Sequence, residues 1–117
     1  MTNLERAQEL YNQVGQGQIL EAFDTHYAEN VIMQEPNGIR EGKAANREYE
    51  IQFLNSVEEF HGMEIKAISE DVNANKVFIE VAMDVTFKDG NRVNMEQVTV
   101  QKWESGQIVH ERFYYNA

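Results

Sequence analysis

The chain has 117 residues, enough for one compact domain, and 42% of them are apolar, which supplies a core and excludes a disordered chain. Twenty acidic against ten basic residues give a net charge of −10, which excludes the clustered basic surface that nucleic acid or an anionic membrane would need. The lack of cysteine excludes disulfides, thiolate catalysis and cysteine-based zinc sites.

No apolar run approaches the ~20 residues of a membrane span. The opening MTNLERAQEL has neither the basic nor the apolar region of a signal peptide, so a cytoplasmic location is expected. The first helix begins at a capping box, Thr2 with Glu5. Leu4, Ala7, Tyr11 and Val14 follow on one stripe at helical spacing, and Gly15 and Gly17 end it. A second short helix sets Ile19, Ala22, Phe23 and Tyr27 on one side. Asn30–Gln34 is apolar and β-branched and reads as a short strand, stopped by the turn chemistry of Pro36-Asn37-Gly38. A third helix is expected over Lys43–Val57, with Ala45, Tyr49, Phe53 and Val57 in register.

Beyond residue 57 the period changes to two. Met63, Ile65 and Ala67 alternate with Glu64, Lys66 and Ile68, and residues 73–76 read as a hairpin turn. Val77, Ile79, Val81, Met83, Val85 and Phe87 form one apolar face, with Glu80, Asp84 and Thr86 opposite. Asp89-Gly90 predicts a type I′ hairpin. The next strand carries Val93 and Met95 in one phase and Val98 and Val100 in the other. That slip near Glu96 and Gln97 predicts either a β-bulge or burial on both faces. Ser105-Gly106 makes the last hairpin, before a strand over Ile108–Tyr115. Helices first and strands second predict an α+β fold: about three helices on a curved antiparallel sheet, with an open-ended pocket in the hollow between them.

This arrangement resembles the nuclear transport factor 2-like superfamily and, within it, the SnoaL-like group of polyketide cyclases and ketosteroid isomerase-like proteins. The likeness covers nearly the whole chain, as one domain over residues 1–117. It rests on LYNQVGQGQILEAFDTHYAENVIMQEPNG (residues 10–38), REGKAANREY (residues 40–49) and VTVQKWESGQIVHERFYYN (residues 98–116). It implies a cystatin-like α+β cone. It also implies cofactor-free acid–base chemistry on a small hydrophobic carbonyl compound and a homodimer formed through the sheet face. One superfold hosts many activities, so function must be argued from the site.

The ketosteroid isomerases place their general-base carboxylate just before the Pro of this turn, which makes Glu35 the candidate base. A carboxylate losing hydration in an apolar hollow would titrate nearer neutrality. The ordinary structural alternative is a solvated Glu35, or one paired with Arg40. Tyr11 falls at the isomerases' oxyanion-hole tyrosine, where a phenol in a dry cavity can donate to an enolate oxygen; it also fits the apolar stripe as a core aromatic. Tyr27 and Tyr49 could extend a phenol network. The isomerases' second acid is replaced here by Thr99, a weaker donor, which shares a strand face with Gln97 and Gln101.

On the closing strand, Glu111 accompanies Phe113 and Tyr115 while His110 points the other way, and either Glu111 or His110 matches the acid that the cyclases draw from this strand. The structural alternative for Glu111 is a cross-strand pair with Lys102 or Arg92. Met33, Phe53 and Met83 are expected at the cavity, as linings or as plugs. The three histidines, His26, His61 and His110, lack metal-ligand spacing, so no metal is expected. An epoxide-hydrolase site would need paired Asp residues around Arg47 or Arg92, which the strands do not offer. The competing function is a non-catalytic ligand-binding or dimeric assembly module.

Overall fold

The computed structural model describes residues 1–116. Its elements are α1 (Asn3–Gly15), α2 (Ile19–His26), β1 (Tyr27–Glu35), β2 (Gly38–Glu41), α3 (Lys43–Ser56), β3 (Val57–Asp71), β4 (Lys76–Phe87), β5 (Arg92–Glu104) and β6 (Gln107–Tyr114). The strands form one sheet in the order β2-β1-β6-β5-β4-β3. Three helices pack on this curved sheet, so the α+β cone expected from the sequence is the fold observed. Among the described residues, no helix is long and apolar enough to cross a membrane.

The capping box at Thr2 forms in both directions, with Glu5 N–H donating to Thr2 Oγ1 and Thr2 N–H to Glu5 Oε1. The α1 stripe buries Ala7, Leu10 and Tyr11. His26, in the last turn of α2, is buried and pairs with Gln13 of α1 at 2.9 Å, which fastens the two helices together. Tyr27 opens β1 rather than closing α2, and its ring stacks on Phe23 at 4.6 Å between centroids.

Four expectations are corrected. The Pro36-Asn37 turn ends β1 at Glu35 as expected, but the next element is a strand and not the third helix. It folds β2 back on β1 as an edge hairpin, with Glu35 opposite Gly38. The sheet is not wholly antiparallel, because β1 runs parallel to β6. The Asp89-Gly90 loop is not type I′: only Gly90 takes positive φ (92°), and the loop spans Lys88–Asn91. The two-residue loop with positive φ at both positions is Ser105 (51°) and Gly106 (79°).

The fourth correction concerns the slip on β5. Its pairing with β4 is unbroken from Lys102 to Arg92, so no bulge exists there. Gln97, Thr99, Gln101 and Trp103 point inward instead, with Thr99, Gln101 and Trp103 fully buried, and Val98 and Val100 point outward. The bulges lie elsewhere. β3 shifts register three times against β4, and the shift between Ile65 and Ala67 turns Ile68 toward the core. A shift on β6 between its pairs at His110 and Ile108 puts Ile108 and Glu111 on the same inner side. Each bulge adds local twist and bends the strand that carries it, and the bent sheet leaves the hollow.

Candidate functional site

The hollow contains a cavity of about 170 Å3 between α1, α2, α3 and the inner face of the sheet. Its deep end is walled by Leu10, Tyr11, Phe23, Tyr27, Val81 and Glu111, all buried. Val14, Ile19, Phe53, Met83, Met95 and Phe113 add half-buried apolar wall. Polar groups come from Glu35, Arg40, Tyr49, Glu50 and Gln97.

Glu111 projects inward from β6, paired across the sheet with Met33 on one side and Gln101 on the other. Tyr27 Oη–H donates to its Oε1 at 2.5 Å, and Gln101 Nε2 donates to its Oε2 at 2.7 Å. Trp103 Nε1–H in turn donates to Gln101 Oε1 at 3.1 Å, fixing that amide. Burial pushes the Glu111 carboxyl up to about 7, against the two hydrogen bonds that favour its ionised form. Burial raises the Tyr11 and Tyr27 phenols, and the Glu111 charge adds to it; beside Tyr11 the Thr99 hydroxyl acts in the opposite sense.

Glu50 reaches the cavity from α3. Burial raises its carboxyl to about 7, and the charges of Glu111 and Glu35 push the same way, against Arg40. The sequence reading missed this residue because it took Ala45, Tyr49 and Phe53 as the inner stripe of α3. The buried residue of that helix is Asn46, whose amide donates to the carbonyls of Arg40 (3.1 Å) and Gly42 (2.8 Å). Asn46, Glu50 and Phe53 fall at helical spacing. The readable signal was an Asn and a Glu on the face that carries Phe53.

Glu35 is not a free carboxylate. Its Oε2 accepts from Arg40 Nη1, and its Oε1 accepts from Tyr115 Oη at 2.8 Å. The side chains of Glu35 and Arg40 are 13% and 21% exposed, so water screens the pair only partly. Arg40 also donates through Nε to Asn46 Oδ1 at 3.1 Å and lies 3.5 Å over the Tyr49 ring. Burial, with Glu35 beside it, raises the Tyr115 phenol to about 12.

The remaining expected site residues separate into three places. Tyr11, Tyr27, Tyr49, Phe53, Met83, Gln97, Glu111 and Phe113 meet at the cavity, with Glu35 among them. Thr99 and Met33 are buried behind it: Thr99 accepts from Gln97 Nε2 at 3.5 Å, and Met33 packs in the core rather than on the cavity wall. His110 is on the opposite face of the sheet, 3.3 Å from Gln34 Oε1, because inner and outer positions alternate along β6 and Glu111 takes the inner one. Arg47 and Arg92, the arginines considered for an epoxide-hydrolase site, pair with Asp24 and Asp84 on the exposed surface. Among the described residues, no three His, Asp or Glu side chains converge on a point as a metal site would require.

A six-stranded cone with a carboxyl-bearing cavity defines a class of small α+β pocket proteins. The sequence matches the SnoaL-like domain over residues 1–115, and the chain belongs to that family. No curated protein matches it significantly. Among solved structures, it is similar to a candidate SnoaL-like polyketide cyclase from Mesorhizobium loti. Identity there is 28%, the alignment covers 98% of this chain and 100% of the other, and the TM-score is 0.83. A candidate isomerase from Bacillus subtilis aligns at 20% identity over 99% and 90% of the two chains, TM-score 0.84. An NTF2-like protein of unknown function from Burkholderia pseudomallei aligns at 16% identity over 97% and 90%, TM-score 0.83. The last two share the fold.

Proposed function

We propose that this chain is a cofactor-free general acid–base enzyme, of isomerase or cyclase type, acting on a compact and mostly apolar carbonyl compound. The observation that carries the reading is the pairing of Glu50 and Glu111 in one cavity, each with its carboxyl raised to about 7. The Glu111 charge disfavours ionisation of Glu50, so near neutral pH one carboxyl of the two can hold a proton while the other is ionised. One is then ready to take a proton from the carbon beside a carbonyl while the other returns one. Tyr11, with a phenol kept protonated by burial, donates to the enolate oxygen. Glu35, held by Arg40 and Tyr115, positions the cavity mouth instead of acting as the base. The candidate cyclase and isomerase among the similar structures support this class of reaction. The test is turnover of enolisable alicyclic ketones, followed by proton exchange at the α-carbon. Exchange that vanishes in both Glu50→Gln and Glu111→Gln is expected; exchange unchanged in both variants overturns the reading.

A second reading, a non-catalytic binding or assembly module, has its own support: both oxygens of Glu111 already accept hydrogen bonds. A full set of partners is what a purely structural buried carboxyl needs. Ligand binding without exchange in any variant would favour it.

Both readings include a homodimer through the outer sheet face. Phe78, Val98 and Tyr114 are 37%, 40% and 47% exposed there. Lys76, Lys102 and His110 form one row across three strands at one end of this apolar belt. Glu80 lies in the belt itself, opposite Val98, and Glu96 beyond it pairs with Lys66 at 3.6 Å. A second copy related by a two-fold would cover this apolar belt. The reading keeps the chain as a single SnoaL-like domain in the cytoplasm.

A further inference from the structure

The size of the cavity narrows the substrate class, an inference that rests on the acid–base reading for the carbonyl and on geometry alone for the size. The reference scale is direct: an apolar protein cavity of about 150 Å3 holds one benzene ring. At about 170 Å3, the cavity here has room for one ring and a small substituent.

The polar and apolar groups are also segregated. Tyr11, Tyr27 and Glu111 are buried at the deep end. At the deep end the Tyr11 phenol is the donor not already committed to Glu111, and a ligand whose carbonyl meets it extends along the half-buried apolar wall.

Three side chains narrow that wall. Met83 and Met95 face each other as a cross-strand pair on β4 and β5. Phe53 approaches from α3 and is braced edge-on by Phe87, with ring centroids 6.0 Å apart. Bracing matters, because an unsupported methionine or phenylalanine would swing aside for a longer ligand. With Phe53 held, only the methionine pair can yield.

We infer that the site takes a single-ring carbonyl compound, with Met83, Met95 and Phe53 as the residues that exclude a second fused ring. Met83 and Met95 are specificity-determining residues here and take no part in proton transfer.

The test is binding of a graded series to the whole chain by calorimetric titration: 3-methylcyclohex-2-enone, then 1-tetralone, then anthrone. In the natural chain, the single-ring ketone is expected to bind at least about tenfold more tightly than the two-ring one, the scale set by losing burial of two or so ring methylenes. Met83→Ala/Met95→Ala is expected to reverse that order. Because both methionines are only half-buried, this variant should keep its fold; the single variant Met95→Ala, expected to narrow the gap, guards against the case in which it does not.

Equal or tighter binding of 1-tetralone or anthrone to the natural chain overturns the inference, as does no binding of the single-ring ketone at millimolar concentration. A size order unchanged by the methionine variants overturns the assignment to those residues. Failure of the catalytic reading looks different: the size order holds while no ketone exchanges its α-proton.

Discussion

Tyr27 and Glu111 stand 84 positions apart in the chain, yet the phenol donates to the carboxyl across 2.5 Å at the deep end of the cavity. The contact depends on β1 and β6 running side by side, which brings the start of one strand and the middle of the other onto one wall. Because this bond favours the ionised carboxyl, Tyr27→Phe is expected to push the Glu111 carboxyl still higher. Carbon-13 NMR titration of the carboxyl measures this directly. A downward shift would mean that another donor replaces the phenol.

The two raised carboxyls lower stability as pH rises, and they are opposed over the same range by His26 and His110, whose imidazoles burial pushes down. Glu50 and Glu111 both titrate at about 7 in the folded chain against an ordinary value of 4.5. The native state therefore holds those protons more tightly than the unfolded state does. The stability this confers is complete below the ordinary value and lost as pH rises through the folded one. Two such groups amount to a loss on the order of 3 kcal/mol each if they acted separately. Urea midpoints are expected to fall between about pH 5 and about pH 8, and Glu111→Gln to flatten its share of the slope. Asp24 and Asp84, lowered by Arg47 and Arg92, act in the opposite sense at lower pH, and their exposure keeps that effect small.

Tyr11→Phe removes the proposed donor to the enolate while leaving the apolar ring in place. On a substrate that turns over, the loss is expected to be about 2.7–4 kcal/mol in the barrier, seen in kcat more than in KM. An equal loss in binding and none in kcat would make the phenol a positioning group.

The two ion pairs near α3 should differ in worth. Glu35 with Arg40 is mostly shielded, whereas Asp24 and Arg47 are 48% and 40% exposed. Glu35→Gln is expected to cost about 1–3 kcal/mol, less than a fully buried pair. Asp24→Asn should cost about 0–1 kcal/mol. Chemical denaturation at neutral pH compares them.

Val98 sits among the outward apolar residues of the central strands. Val98→Lys is expected to convert a dimer into a monomer at micromolar concentration, measured by analytical ultracentrifugation. A natural chain that is already monomeric under those conditions would remove the sheet-face interface from the reading.

Much of the fold was legible because its signals are local. A capping box, helical stripes and Gly turns act within a few residues, and they placed three helices and the long strands. What the sequence hid depends on distant partners. β2 is short and half polar, and becomes a strand only because β1 lies beside it. The inward glutamines of β5 read as a slip because polar residues on an inner face break the alternation rule. Gln101 is inward because Glu111 and Trp103 supply its hydrogen bonds, and Gln97 donates to Thr99 on the same face. Of the site, Tyr11, Tyr27 and Glu111 could be found from strand phase and resemblance. Glu50 was harder to find, since the apolar stripe of α3 is weak and the signal on its inner face is polar, Asn46 and Glu50 in line with Phe53.

The placement of β6 between β1 and β5 has a consequence for how the chain assembles during synthesis. The β3–β4–β5 meander can zip up as it emerges from the ribosome, but the opening hairpin, covered by α3, has no strand beside β1 until residues beyond 107 arrive. Until that keystone strand drops in, the facing edges of two half-sheets stay unpaired, and a nascent copy is most open to capture by chaperones in that interval.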